Sequence, residues 1–182
     1  MPRTRPRPSM VSVILVLAAG MALAACSSGG AEEKRDYATP SSLCGTAVSP
    51  AALEPLLPAG NKISSVKSGP SGFTRCRLVV DKQVAVTSII DQRKSGTRLM
   101  NVAYGTYGMR SDEIKKNEHD YIVSDSQAVG HVSCSKLQKE GHELFTMIRK
   151  EHGTVDATAM EKAITEFTDA VSASRLCTAP HA

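Results

Sequence analysis

The chain has 182 residues and a formal net charge of +4. Three of its 22 basic residues, Arg3, Arg5 and Arg7, precede an apolar run; without them 19 Lys and Arg stand against 18 Asp and Glu, a balance that excludes the basic stripe of a nucleic-acid binder. With no Trp, three Phe and four Tyr, the chain is too poor in rings for a carbohydrate- or base-stacking platform.

The basic N-terminus, an apolar run at 11–25 and the small residues that close it follow signal-peptide order. Fifteen apolar residues fall short of the roughly 20 that a membrane-spanning helix needs. Leu23-Ala24-Ala25-Cys26 resembles the lipobox of bacterial lipoproteins. The resemblance implies a signal peptide over 1–25, diacylglyceryl transfer to the Cys26 thiol, cleavage before Cys26, and a home on the extracytoplasmic face of the cell membrane. Two acyl chains make a stable anchor where one holds only marginally. Residues 26–43 then read as the lipidated cysteine and a tether rich in Ser, Gly and charge, and 44–182 as a single domain.

Outside the cytoplasm, the four remaining cysteines predict two disulfides. Three connectivities exist. Nearness in sequence and similar context favour Cys44–Cys76 and Cys134–Cys177, each joining a strand to a helix flank. Loops of this size contribute on the order of 3–4 kcal/mol in the chain-entropy model. No two of the four lie closer than 32 positions, whereas zinc sites use tight Cys pairs, so no metal is expected.

In chain order, Ser49-Pro50 opens a short helix carrying Leu53, Leu56 and Leu57, and Pro55 and Pro58 keep it short. A strand is expected at 62–68. A better one is at 73–80, with Thr74, Cys76, Leu78 and Val80 on one face and Arg75 and Arg77 on the other. Asp81-Lys82 turns the chain into a β-branched strand at 83–90. Residues 96–110 suit a short helix broken by Gly105 and Gly108, and 111–117 reads as a polar loop or exposed helical turn. Strands follow at 121–123 and at 128–137, the latter with Gly130 as a bulge; a turn at 139–142 leads to the strand 143–149. The last helix starts at Thr158 in capping-box form or at Asp156, and carries Met160, Ala163, Ile164, Phe167, Ala170 and Val171 on one face. The whole predicts an α+β fold: an antiparallel sheet of about five to six strands with helices packed on one face.

Leu43-Cys44-Gly45, Ser49-Pro50, Leu56-Leu57-Pro58 and the strand cysteine in Thr74-Arg75-Cys76-Arg77-Leu78 resemble small secreted lipoproteins of actinobacteria. The resemblance implies an envelope location and an α+β domain and transfers no catalytic residue.

The chemistry-bearing motifs are sparse. No His-x-x-x-His, no Gly-x-Ser-x-Gly elbow, no Cys-x-x-Cys and no phosphate loop occurs, so neither an enzyme nor a cofactor is expected. His142-Glu143 and Glu151-His152 flank one strand, and Ser124-Asp125-Ser126 is a polar loop. Tyr104 and Tyr107, set among glycines, either cover the sheet edge or form a contact loop; Arg93, Lys94 and Arg98 beside them are candidates to steer an anionic partner. The leading expectation is a non-enzymatic, lipid-anchored module that binds an envelope protein or wall polymer through this loop. The alternative is a small-molecule carrier or sensor with a pocket between sheet and helices.

Overall fold

Two strands of two residues, β1 (Ser42–Leu43) and β2 (Thr46–Ala47), open the described fold as a hairpin turned by Cys44 and Gly45. The structure is a computed structural model and describes residues 34–134 and 141–178. The signal segment 1–25, Cys26, residues 27–33, and the expected strand end 135–137 with Lys139 and Glu140 of its turn lie outside the described residues.

Ser49 caps α1 (Pro50–Leu53), its hydroxyl accepting from the Ala52 amide at 3.2 Å, and Pro55 leads the chain into a 3-10 turn at Glu54–Leu56. β3 (Ile63–Ser68) and β4 (Phe73–Val80) follow, then β5 (Gln83–Lys94) after the turn Asp81-Lys82. Both turn residues have positive φ, the conformation whose twist matches a two-residue hairpin. The Asp81 carboxylate holds this corner by accepting from the Asn61 and Lys62 amides at 2.9 and 3.0 Å. These hydrogen bonds keep its carboxyl below the usual range. The rest of the chain forms a π-helical turn (Asn101–Thr106), β6 (Ile114–Asn117), β7 (Tyr121–Ser124), β8 (Gln127–Val132), β9 (His142–Lys150), α2 (Ala157–Ser172) and α3 (Arg175–Thr178).

The seven longer strands make one antiparallel sheet in the order β3-β4-β5-β9-β8-β7-β6. The α+β architecture is thus the expected one, with one strand more. The addition is β6, in the stretch expected as a polar loop. Its register slips between Ile114 and Lys116, so Ile114 packs under the π-helical segment while Lys116 reaches Glu161 on α2. Such a bulge hides the period-2 signal. The strand at 83–90 also runs on to Lys94, because residues 91–94 pair with 142–145 of β9.

The helices pack on one face. α2 lies over β7, β8 and β9, while α1, the β1–β2 hairpin and the 3-10 turn lie toward β4 and β5. Asp156, the rival cap, is the N-cap of α2 and accepts from the Thr158 amide at 2.8 Å. Gly130 is no bulge: it keeps register with Tyr121 and Thr146. It is small because α2 comes close; a Cβ there would stand 2.5 Å from Thr168 Oγ1 and 2.7 Å from Thr146 Oγ1. The opposite face of the sheet carries a second apolar cluster of Ile89, Ile122, Val129, Phe145 and Met147, covered by Val102, Ala103 and Met109 from the π-helical segment.

The tether reading of 26–43 reaches too far. The described residues from 34 onward group with the domain. Arg35 bridges Gly60 in parallel, and its guanidinium donates to the Leu57 carbonyl at 2.7 Å and the Glu54 carbonyl at 3.1 Å. Tyr37 donates to the Pro58 carbonyl, and Leu43 is buried. Composition misses this because the attachment is polar: a strap satisfies carbonyls left open where α1 and its 3-10 turn end.

Both preferred disulfides are present, Cys44–Cys76 with Cα atoms 5.7 Å apart and Cys134–Cys177 at 4.8 Å. Among the described residues no helix is long and apolar enough to cross a membrane.

Candidate functional site

The expected contact loop is turned inward. In the π-helical segment the Tyr107 amide donates to the Val102 carbonyl at 3.0 Å and the Met109 amide to the Ala103 carbonyl at 3.0 Å. Gly105 and Gly108 therefore do not leave it a free loop. Tyr104 and Tyr107 both pack against the second apolar cluster. Tyr107 also donates from its hydroxyl to Asp91 Oδ2 at 3.0 Å. Burial first, and then the Asp91 carboxylate, push its phenol well above the usual range. The structure thus follows the reading in which these tyrosines cover the sheet, and Tyr107 is no exposed anchor. Arg93 is bound to the same carboxylate, Nε to Oδ2 at 2.7 Å, so it is not free to steer a partner; Lys94 and Arg98 are exposed. Arg149 closes the arrangement, donating to the Tyr107 carbonyl at 2.9 Å and to Gln127 Oε1 at 2.8 Å.

The other sequence candidates also have structural partners. The Ser124 hydroxyl accepts from the Ser126 and Gln127 amides and donates to the Gln127 carbonyl, which folds the β7–β8 turn. His131 lies 3.6 Å from Glu143, each side chain about a third exposed, with the His131 ring against Phe145. Among the described residues no three His, Cys, Asp or Glu gather as a metal site.

A cleft of about 540 Å³ opens on the helical face, between the sheet and the C-terminal helices. Its floor follows from strand register. Lys67, Cys76 and Ser88 stand opposite one another on β3, β4 and β5, and Thr74 and Ile90 form the next row. α2 lies over the other half of the sheet, so here the cover is left to three short pieces. Leu43, Cys44 and Thr46 of the β1–β2 hairpin make one wall; Ser174, Arg175 and Leu176, at α3 and just before it, make the other; Phe167 of α2 closes the back. A smaller recess of about 140 Å³ continues past Thr74, Ile90 and Leu176 toward Gln92. Both walls are covalently tied down, one to β4 through Cys44–Cys76 and the other to Cys134, two residues past the end of β8, through Cys134–Cys177.

Three features give the cleft a chemistry. Its walls are largely apolar, and Leu176, one of the few exposed large apolar side chains, lies over it. Its two charged residues are cations, Lys67 and Arg175, both exposed, and no acidic side chain lines it. Its lining includes Ser88, 1 % exposed, whose Oγ is the one buried side-chain polar atom without a hydrogen-bond partner among the described residues. A buried hydroxyl left unpaired costs about 1–3 kcal/mol, and a polar group delivered into the cleft would recover it. No His, Asp or Glu stands in the lining to act as a base for that hydroxyl.

Sequence reasoning did not single out Ser88 or Lys67. A signal was present: alternation through 83–90 puts Ser88 on the same face as Val86 and Ile90, a polar residue at a core position. No family model, no curated protein and no solved structure matches this chain.

Proposed function

We propose that this chain is a lipid-anchored envelope protein whose domain holds a small amphiphilic anion in the cleft between sheet and helices: a non-enzymatic carrier or sensor on the extracytoplasmic face of the cell membrane. The observation that carries this reading is the unpartnered Ser88 hydroxyl in a cleft lined by Leu43, Ile90, Phe167 and Leu176, whose two charged residues are the exposed cations Lys67 and Arg175. A ligand with an apolar body fits the walls, an anionic end fits Lys67 and Arg175, and an acceptor or donor near that body fits Ser88. The cleft is preferred to a partner-binding loop because the Tyr107 hydroxyl is bonded to Asp91.

The test is titration of the mature protein with alkyl carboxylates of increasing chain length, followed by calorimetry. One-to-one binding should tighten by about 0.8 kcal/mol per added methylene until the cleft is filled, then level off. Ser88→Leu should block binding, and Lys67→Gln with Arg175→Gln should weaken carboxylates while leaving alkanols of equal length unaffected. Affinity that ignores chain length, or binding that survives Ser88→Leu, would remove this reading.

A further inference from the structure

The other face of the same sheet half is open. The π-helical segment covers β7, β8 and β9 and stops at Tyr107, leaving a groove of about 580 Å³ floored by β4 and β5 and walled by Thr106 and Tyr107. Strand register fixes what the floor presents. Arg77, Thr87, Arg149 and Gln127 stand in one row across β4, β5, β9 and β8. Arg75 stands two residues along β4 from Arg77, on the same face. Arg77 and Arg149 therefore flank Thr87 with backbones about 10 Å apart, and Arg75 is about 7 Å from Arg77 along the strand.

Three guanidinium groups and one carboxylate, Glu151, line the groove. Arg149 is held by Gln127 and the Tyr107 carbonyl. Arg75 lies over the Phe73 ring at 5.3 Å, which occupies its flat face and leaves its edge donors outward. Arg75 and Arg77 are half-buried, and neither has a carboxylate within ion-pair distance among the described residues. By contrast Arg93 is paired with Asp91, and Arg110 with Asp112. Two like charges set side by side near a buried threonine, neither of them paired with a carboxylate, are repulsive in the free protein; an anion that accepts from both relieves this.

We infer that this groove is a second binding site, separate from the cleft, for a phosphoryl group, with Arg75 and Arg77 supplying forked donors to its oxygens, Arg149 as a fixed third cation and Thr87 as a hydroxyl beneath. Arginine forks match tetrahedral oxyanions in pairs, and a dianion balances the excess of cations over Glu151. The site does not depend on what the cleft holds.

The probes are inorganic pyrophosphate, a soluble glycerol-phosphate oligomer, and phosphatidylcholine vesicles with and without phosphatidylglycerol, each titrated into the mature protein at moderate salt. Saturable binding of at least one phosphoryl probe is expected. The soluble arms against the vesicle arm tell a free or polymer phosphate from a lipid headgroup. Arg75→Gln with Arg77→Gln should weaken that binding by about tenfold or more at unchanged melting temperature, and Arg77→Lys by less, since an ammonium keeps the charge without the fork. Glu151→Gln should tighten it. Ser88→Leu, which fills the cleft, should leave it unchanged. Absence of binding to all the phosphoryl probes, binding indifferent to Arg75 and Arg77, or weaker binding in Glu151→Gln would each overturn the assignment.

Discussion

Gly130 shows how much one missing methyl group carries. The hydroxyls of Thr146 and Thr168 meet at 2.6 Å across the space a Cβ would fill, and both residues are buried. Gly130→Ala should therefore push α2 from the sheet and lower stability by about 1–3 kcal/mol, the usual cost of overpacking; urea unfolding reads it. Tyr107 sets a second residue-scale expectation. Its phenol is held neutral in the folded state by burial and by Asp91, so its contribution is complete below the ordinary tyrosine pKa of about 10 and fades as pH rises beyond it. Tyr107→Phe should cost about 1–2 kcal/mol near neutrality through the lost hydrogen bond to a buried carboxylate, and should flatten the alkaline limb of the stability curve relative to the parent protein. An alkaline limb as steep as the parent's would assign the loss to other groups.

At the scale of elements, what could be read ahead and what could not separate by physical cause. The strand at 73–80, its turn and the last helix were legible because alternation, turn residues and a 3.6-residue apolar stripe each reflect one buried face. The strand β6 was not, since its bulge turns Ile114 and Lys116, two residues apart, to opposite faces, and the extension of β5 was not, since Asp91 and Arg93 are a mutually satisfied pair in a strand rather than a loop. The disulfides were legible from compartment and spacing; the cleft between their two walls was not, because it is assembled from residues 43–46, 67–90 and 167–176, which only the fold brings together. That assembly predicts a linkage between redox state and binding. Cys134→Ser with Cys177→Ser should cost up to about 4 kcal/mol by loop entropy and should also weaken the alkyl carboxylate, because α3 is then free to lift its wall. Stability lost with affinity unchanged would show that α3 keeps its place without the covalent tie.

For the whole molecule, the expectation that precedes all others is the anchor at Cys26. Cys26→Ser should leave uncleaved precursor or released protein, seen as a shift from the detergent to the aqueous phase on partitioning; unchanged partitioning would remove the membrane from the proposed function. The near balance of 19 Lys and Arg against 18 Asp and Glu beyond the three N-terminal arginines fits the division of the domain, with one cationic rim on the cleft and one cationic floor on the opposite face, balanced by acidic residues elsewhere. Neither basic feature is visible in net charge, because each is assembled by the fold from residues far apart in sequence.

The way the chain enters the domain has a mechanical meaning under the proposed anchor at Cys26. Tension along the chain first meets the Arg35 clamp on Leu57 and Glu54 and can strip residues 34–43 from the surface. At Cys44 the load leaves the backbone. The bond to Cys76 carries it directly into β4, which is hydrogen-bonded along both edges, to β3 and to β5. The intervening hairpin turn, α1 and β3 are bypassed and bear none of the pull. Peeling thus halts at Cys44, next to the cleft, with Cys44 and Thr46 of its wall still seated under load.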